Sequence, residues 1–313
     1  MDNVTLELYK EEVEKNPDDV FMLASYAFYL HADQQSEEAL KILDRVLELD
    51  PSYEKASYLK GVIYLSMGDY EKGWEYFVTQ ASWNGEKTDQ LVSLYQDQGF
   101  GDFFQFARYI PYVHERCPNL QIACWPELVD LLKDSFPEIE ITTLLNNPLS
   151  CPITNLGAVF KMIPNKVPYL KTNLVSDVKA KIGVLWTSDN THTENFLTNC
   201  IHDYNIVRPL LERPDVMSLR RRDLNNAQFN EIASIVNKLD LIITTDTALP
   251  HLAGALGRPT WILLSYDADG RWAGRQKLES CWYPTMRIFR QKEAGNWKDV
   301  IDEVIIELEK KRG

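Results

Sequence analysis

The first 85 residues repeat themselves at a fixed spacing of 34 positions. Asn16-Pro17 recurs as Asp50-Pro51. The same offset relates further small and large residues: Tyr9 with Leu43 and Phe77, Ala27 with Gly61, Leu30 with Tyr64, and Ala39 with Gly73. A period of this length is typical of paired helices that stack into an array, because each pair covers its apolar face only against a neighbour. The repeat therefore predicts an all-α N-terminal region.

The pattern predicts five helices in this region. They cover residues 3–15, 19–31, 36–49, 53–67 and 70–83, and the prolines lie in the turns between them. We interpret residues 1–85 as a tetratricopeptide repeat domain. Two roles are open for it: a concave groove for a peptide or protein partner, and a structural cap on the domain that follows.

The charge of the chain excludes one class of partner. The sequence has 46 acidic and 33 basic residues, a net charge of -13, and residues 1–85 hold 17 acidic and 7 basic residues, which is -10 of that total. Such a surface repels the phosphates of nucleic acids.

No apolar run approaches the roughly 20 residues of a membrane span, and the first thirty residues lack the basic start of a signal peptide. We expect a soluble, cytoplasmic protein.

The cysteines indicate neither disulfides nor a zinc site. The five residues are odd in number and lack CxxC spacing. They are Cys117, Cys124, Cys151, Cys200 and Cys281. We expect buried free thiols.

From residue 90 onward, short apolar runs alternate with helical stretches. The predicted strands are 91–95, 120–124, 139–144, 181–186, 216–219, 239–244 and 260–264. This alternation predicts an α/β fold with parallel sheets. The proline-containing stretch 148–178 is interpreted as a crossover between two doubly wound halves. The domains are then 1–85, 86–175 and 176–313.

The carboxyl ends of parallel strands are where ligands bind in such sheets. After the first strand comes the turn Gln98-Gly99-Phe100-Gly101-Asp102, followed by a predicted helix over 103–113. Glycines permit unusual backbone angles and the close approach of a ligand. Asp102 has two open interpretations, as the N-cap of that helix and as a functional carboxylate that faces the crevice.

A second candidate turn follows the strand 239–244. Asp246 and Thr247 offer capping oxygens, Pro250 suits a first helical turn, and Gly257 suits a left-handed helix end. The free amides at such a helix start can hold a diphosphate without a metal. The same features occur at purely structural turns, and His251 can equally be a hydrogen-bonded, half-buried histidine.

Several motifs occur together in one order along the chain. They are residues 98–102 with 105–109, Cys151-Pro152, 167–170, Asp246-Thr247 with 251–259, Arg271-Trp272, and 282–287 with 289–291. In this combination, essentially the whole chain resembles the bacterial tetratricopeptide-linked glycosyltransferases of the heptosyltransferase-like family nine. The resemblance implies a GT-B architecture, in which two Rossmann-like domains face each other across a cleft. The acceptor domain is then 86–175, and the nucleotide-sugar domain is 176–313, with its C-terminal helix packed back across the fold.

The resemblance also implies site residues. Asp102 becomes the catalytic base of a metal-independent, inverting transferase, whose co-substrate is a nucleoside diphosphate sugar and which needs no further cofactor. The implied donor and phosphate-binding residues are Asp246, Thr247, Ala248 and His251. This chain's own sequence adds Arg220, Arg222 and His192 as candidates for the same role. The implied residues of the acceptor side and the cleft are Gln98, Gly99, Gly101, Arg271 and Trp272. Arg271 and Trp272 have an alternative role in closing a domain interface.

The donor loop 187–196 differs from that of the relatives, which carry Lys or Arg there. His192 is its one residue that can become cationic. The run Arg220-Arg221-Arg222 can replace the missing phosphate contact, and it can equally be a solvated surface loop.

The leading prediction is a glycosyltransferase whose repeats recruit or orient the acceptor, which can be a protein or peptide. One alternative is a catalytically degenerate protein of the same fold that binds nucleotide sugars or other proteins as a scaffold. Another is a plain tetratricopeptide adaptor.

Overall fold

The computed structural model describes residues 3–33, 35–76, 81–187, 199–266, 268, 270–272 and 278–310. The chain divides into two compact units. The first contains Met1–Val78 and Asp269–Gly274, and the second contains Thr79–Ala268 and Arg275–Gly313.

The first unit is helical. Its helices are α1 (Asn3–Lys15), α2 (Val20–Ala32), α3 (Ser36–Leu49), α4 (Glu54–Met67) and α5 (Tyr70–Glu75). One apolar core joins α2, α3 and α4, and Leu6 and Val13 of α1 pack against it. Its buried residues are Leu23, Ala27, Leu30, Ala39, Leu43, Val46, Ala56 and Ile63. The bounds of the first four helices lie within one residue of the predicted ones. The assignment to the tetratricopeptide class stays a prediction.

The predicted fifth helix is too long. It was expected to reach Trp83, but α5 ends at Glu75, and residues 77–80, which include Phe77, lie outside the described residues. The backbone amides of Ser82 and Trp83 both donate to the carbonyl of Ser150. The segment therefore bonds to a distant part of the chain instead of continuing the helix.

A late segment also belongs to the first unit. Gly270–Trp272 forms a single 3-10 turn that packs against α4. The side chain of Trp272 is fully buried there. The helical unit is therefore built from two stretches of chain far apart in sequence.

The second unit contains two parallel sheets. The first has strands β1 (Val92–Tyr95), β2 (Leu120–Ala123), β3 (Glu140–Thr142) and β4 (Ser150–Pro152), in the order β3-β2-β1-β4. Its helices are α6 (Phe100–Phe106), α7 (Ile110–Arg116), α8 (Val129–Ser135) and α9 (Leu156–Phe160). All strand pairs are parallel, as the alternation of strands and helices predicts.

The second sheet is larger. Its strands are β5 (Ile182–Leu185), β6 (Val216–Ser218), β7 (Leu241–Thr245), β8 (Thr260–Leu264) and β9 (Met286–Arg290), in the order β6-β5-β7-β8-β9. Its helices are α10 (Tyr204–Leu211), α11 (Phe229–Lys238), α12 (Ala248–Ala255) and α13 (Trp297–Lys310). One face of α13 is buried in the core of this sheet together with α10, as expected for a returning C-terminal helix.

Two strands were not predicted. β4 lies inside the stretch interpreted as a crossover, because three residues that end in a proline give no apolar run. Pro152 is tolerated there because β4 is an edge strand. β9 was missed because its two arginines interrupt the apolar run. One of them, Arg287, has its Nη1 2.7 Å from Oε2 of Glu307 on α13.

The thiols are buried as expected for four of the five cysteines, whereas Cys281 is partly exposed. None of the described helices is long and apolar enough to cross a membrane.

Candidate active site

Asp102 lies inside helix α6, not at its cap. The predicted helix start at 103 is wrong, because Gly99 is the N-cap and Phe100 is the first helical residue. Asp102 therefore occupies the first turn, where the helix dipole stabilises a negative charge. Its side chain is partly exposed, so the carboxylate of the predicted base is accessible.

The glycine at 101 serves a contact between the two sheet-bearing lobes. Neither Gly99 nor Gly101 has a positive φ, so unusual backbone angles do not explain this turn. A Cβ on Gly101 would lie 3.0 Å from Cδ2 of His251, 3.5 Å from Cα of Ala248 and 3.6 Å from the carbonyl oxygen of Thr247. Helix α6 therefore packs directly on the first turn of α12. This contact places the turn that carries Asp102 beside the predicted phosphate-binding helix.

The start of α12 has the predicted local structure. Thr247 is the N-cap, and its hydroxyl accepts a hydrogen bond from the amide of Leu249 at 3.3 Å. Asp246, Thr247 and Ala248 are partly exposed, while the preceding strand β7 is buried throughout. Gly257 ends the helical region with φ +70°, as predicted. The backbone amides of the first turn and the helix dipole together favour an anion at this point.

His251 is buried and held in a fixed orientation. It is 2% exposed, and its Nδ1 lies 3.0 Å from the hydroxyl of Tyr283. The ring of Tyr283 packs so closely on Gly254 that a Cβ there would lie 2.3 Å from a ring carbon. The interpretation of His251 as a hydrogen-bonded histidine is confirmed, and it is more deeply buried than expected. Its other ring edge faces Gly101.

Arg108 joins the two lobes behind this histidine. Its guanidinium is 1% exposed and donates to the carbonyl oxygens of Pro164 and Trp282, both at 2.9 Å, and to the hydroxyl of Tyr169 at 3.3 Å. It also lies over the ring of Tyr283 at 4.8 Å. The sequence offered Arg108 only as part of a motif. Its buried contacts hold α6 and the His251 partner Tyr283 in one packed cluster.

Asp97 is a second carboxylate near Asp102 that sequence reasoning missed. It follows β1 and accepts hydrogen bonds from the hydroxyl of Thr154 and, at 3.4 Å, from the Thr154 amide. Burial raises the pKa of Asp97 above its usual value, and the negative charge of Asp102 raises it further, although the hydrogen bonds from Thr154 act in the opposite direction. The two carboxylates therefore interact through space.

In the arginine run after β6, Arg220 is mostly buried and ion-paired, whereas Arg222 is mostly exposed. Arg220 lies 4.3 Å above the ring of Trp186 and 2.7 Å from Oδ2 of Asp223, so it sits at the carboxyl edge of the sheet but is already paired. Partial burial raises the pKa of Asp223, but hydrogen bonds from Ser218 and Arg220 outweigh this and lower it below the usual value. Arg222 is mostly exposed, and its Nε lies 4.0 Å from Asp223.

The remaining predicted residues lie in three places. Gln98 is exposed beside the turn, and its carbonyl accepts a hydrogen bond from Gln96. Arg271 and Trp272 are part of the first unit, where the buried Trp272 packs beside α4. His192 lies outside the described residues.

Gln291 is a further residue at the carboxyl edge of the second sheet. It follows β9 and is 4% exposed; its side-chain oxygen accepts from the amides of Tyr266 and Gly295, both at 3.1 Å. Its side-chain nitrogen is buried and has no partner among the described residues. Gln291 thus fixes the start of the loop after β8. From the sequence alone, Gln291 is distinguished only as part of the motif 289–291.

The described residues contain no group of three or more His, Cys, Asp or Glu side chains that could hold a metal ion.

Comparison with known proteins connects this site with one family. Residues 224–293 match the sequence model of glycosyltransferase family 9 (heptosyltransferase). This segment includes Asp246, Thr247, Ala248 and His251, whereas Asp102 precedes it.

The chain is also similar to a curated protein, Protein FlbA of Caulobacter vibrioides. The two are 20% identical over 328 aligned positions, which cover 80% of this chain and 54% of FlbA. The chain thus spans about half the length of that relative.

Two solved structures match about 70% of this chain. The iron-containing dodecameric glycosyltransferase TibC of enterotoxigenic E. coli H10407 is 12% identical, covering 69% of this chain and 66% of TibC with a TM-score of 0.48. The E. coli ADP-heptose heptosyltransferase II is also 12% identical, covering 72% of this chain and 100% of the enzyme with a TM-score of 0.44.

Proposed function

We propose that this chain is a glycosyltransferase of the GT-B type that moves a sugar from a nucleoside diphosphate to an acceptor hydroxyl. The observation that carries the proposal is the packing of Gly101 on Thr247, Ala248 and His251. It brings a partly exposed carboxylate on one lobe next to a partly exposed helix start on the other. A transferase needs these two groups on opposite sides of the reacting carbon. The match of residues 224–293 to family 9 supports the same class.

The reaction is a single displacement. Asp102 takes the proton of the acceptor hydroxyl while its oxygen attacks the anomeric carbon of the sugar. The bond from that carbon to the diphosphate oxygen breaks, and its electron pair leaves with the nucleoside diphosphate. Attack from the opposite face inverts the anomeric centre. General-base help of this kind contributes about 10²- to 10⁴-fold in rate.

The leaving diphosphate gains negative charge as the bond breaks. The amides of the first turn of α12 and its dipole are fixed donors that stabilise this charge without reorganisation. The buried contact of His251 with Tyr283 keeps the helix start in place. With these donors, the proposed reaction proceeds without a metal ion. Arg222, exposed after β6, is available for a further phosphate contact.

The helical unit is proposed to recruit or orient the acceptor. Its strong negative charge favours a basic or neutral partner. A protein or peptide fits this role, because stacked helical repeats present extended surfaces to polypeptides.

The test is a calorimetric titration of the full chain with nucleoside diphosphates and their sugar derivatives, followed by transfer assays with the donor that binds. Asp102→Asn is expected to keep donor binding and to lose transfer or donor hydrolysis by about 10²-fold or more. Asp130→Asn, an exposed acid on α8, is the matched control and is expected to retain activity. Absence of saturable binding by every nucleotide would overturn the proposal.

A nucleotide-binding or protein-binding scaffold without catalysis is the second candidate. It is favoured by the pairing of Arg220 with Asp223, which partly neutralises the arginine run. Saturable donor binding without turnover, unchanged in Asp102→Asn, would select this candidate.

A further inference from the structure

The carboxyl edge of the first sheet carries an exposed apolar surface. Trp125, Leu144 and Leu145 are 44%, 69% and 47% exposed, respectively. Together with Phe100, which is partly exposed, we name these residues the apolar edge. Exposed aliphatic and aromatic area costs about 25 cal/mol per Å² relative to burial, so several exposed apolar side chains at one edge are a candidate binding surface.

Strand register places these residues side by side. Ala123 of β2 is directly opposite Thr142 of β3, and the amide of Cys124 donates to the carbonyl of Thr142 at 2.9 Å. Trp125 lies two residues after Ala123, and Leu144 lies two residues after Thr142. The two strands are parallel, so both residues leave the sheet at the same edge.

The apolar edge reaches the predicted base. The ring of Trp125 meets that of Phe100 edge to face, with centroids 4.7 Å apart. Phe100 is the first residue of α6, and Asp102 lies two residues further in the same turn. The surface therefore begins beside Asp102 and extends away from it across β2 and β3.

Its backbone is held in place. The amide of Trp125 donates to Oε1 of Gln96 at 3.2 Å, and the amide of Leu144 donates to Oγ1 of Thr142 at 3.1 Å. The exposed side chains therefore stand on hydrogen-bonded turns, which lowers the entropy cost of binding a partner.

The charge of this edge is one-sided. The segments that follow the four strands are 96–102, 124–128, 143–149 and 153–155. They contain Asp97, Asp102 and Glu127 and no Lys, Arg or His. Within these four segments, an acceptor that carries phosphate or carboxylate groups would meet acidic side chains and no basic one.

We infer that the acceptor is a polypeptide segment, neutral or basic, whose apolar side chain packs on the apolar edge while a neighbouring Ser or Thr hydroxyl reaches Asp102. A sugar can stack on Trp125, but it has no aliphatic group that would cover Leu144 and Leu145. A peptide has apolar side chains that can cover both leucines. This inference rests on the proposed function and adds to it the surface that holds the acceptor and the hydroxyl that reacts.

The experiment uses synthetic 12-residue peptides with one central Ser. Three pools are compared: neutral peptides with Leu or Phe beside the Ser, the same peptides with phosphoserine or Glu added, and the same peptides with the apolar residues replaced by Asn. A neutral disaccharide serves as the competing acceptor class. Fluorescein-labelled peptides report binding without donor, and mass spectrometry reports transfer from the donor found by calorimetry.

The neutral apolar pool is expected to bind and to be modified at least tenfold better than the other two. Trp125→Ala and Leu144→Asn are expected to raise the peptide KM at least tenfold and to leave the donor Kd unchanged. Leu174→Asn, which changes another exposed leucine (45%) outside the apolar edge, is the control and is expected to have no effect.

Preference for the phosphorylated pool, transfer to the disaccharide alone, or an unchanged peptide KM in Trp125→Ala would each overturn the inference. A protein that hydrolyses the donor through Asp102 but neither binds nor modifies any peptide would overturn the acceptor inference. The proposed function would then still stand. A protein that binds no donor at all fails the proposed function first, and the acceptor inference falls with it.

Discussion

The alpha carbon of Gly101 faces the ring of His251 so closely that one added methyl group would touch it. The two residues come from different lobes, and a Cβ at position 101 would lie 3.0 Å from Cδ2 of the histidine. Glycine at 101 is thus a condition for the packing of α6 on α12.

Gly101→Ala is expected to destabilise the fold by about 1–3 kcal/mol, because the methyl group meets the backbone of Ala248 and Thr247 as well as the histidine ring. Gly99→Ala is the matched control. Its Cβ would meet only Oδ2 of Asp102, at 3.4 Å, and its φ of -62° suits alanine. Urea unfolding of the two variants checks the difference, and equal losses would contradict this account of the contact.

Arg108→Met is expected to cost about 3 kcal/mol or more. The change removes the guanidinium that donates to the buried carbonyls of Pro164 and Trp282, and each lost buried hydrogen bond costs about 1–3 kcal/mol. Arg208→Met, which removes an exposed arginine 3.7 Å from Glu212, is expected to change stability by less than about 1 kcal/mol. Chemical denaturation measures both, and a small effect at Arg108 would show that its buried contacts are dispensable.

Tyr283→Phe removes the hydroxyl next to His251. We expect a loss of about 1–2 kcal/mol, because the buried imidazole nitrogen loses its partner while the ring still fills the space beside Gly254. Tyr204→Phe, at an exposed tyrosine, is the control. A larger loss of donor affinity than of stability would indicate that the hydroxyl also orients His251 toward the ligand.

The carboxyl group of Asp97 is expected to make stability depend on pH. Burial is the main cause that raises the pKa of Asp97 in the folded state. The protonated carboxyl group therefore contributes fully to the free energy of unfolding below the unfolded pKa, and this contribution is lost as the pH rises through the folded pKa. The stability of the wild type relative to Asp97→Asn should therefore fall as the pH rises above the unfolded pKa of about 3.9.

Thr154→Val is the companion variant for this titration. It removes the hydroxyl hydrogen bond that lowers the pKa of Asp97. The pKa of Asp97 should rise further, so protonation persists to higher pH than in the wild type. Urea unfolding across the pH range measures both effects, and parallel curves for all three proteins would contradict the assignment.

The thiols give a test of the fold itself. Burial raises the pKa of Cys124 and of Cys151 to about 12, so neither forms a reactive thiolate near pH 8. Of the five cysteines, Cys281 alone is partly exposed. One thiol per chain is expected to react rapidly with an aromatic disulfide reagent in the native protein, and all five after unfolding. Rapid reaction that persists in Cys281→Ser would contradict the burial of the others.

Local patterns in the sequence were sufficient for elements that depend on nearby residues. The helices α1 to α4 and the cap at Thr247 follow from periodicity and short-range hydrogen bonds. The same holds for strands β1, β2, β5, β7 and β8, whose apolar runs are almost wholly buried. β4 was missed because it exists only by pairing with β1 across a long loop.

The site was predictable only in part for the same reason. The turns of Asp102 and Asp246 could be found, because each follows a strand. Contacts between them could not, since the packing of Gly101 on His251 joins residues 150 positions apart. The predicted helix over 70–83 is too long, and the amides of Ser82 and Trp83 donate instead to the carbonyl of distant Ser150.

The turn at Gly270–Trp272 changes how the helical part of this protein can be studied. Its buried indole belongs to the packing around α4, yet the chain supplies it only after β8 has been made. A fragment cut after residue 85 would leave an apolar hollow where Trp272 sits. Any loss of partner binding by that fragment would therefore reflect an incomplete fold as readily as a missing recognition surface.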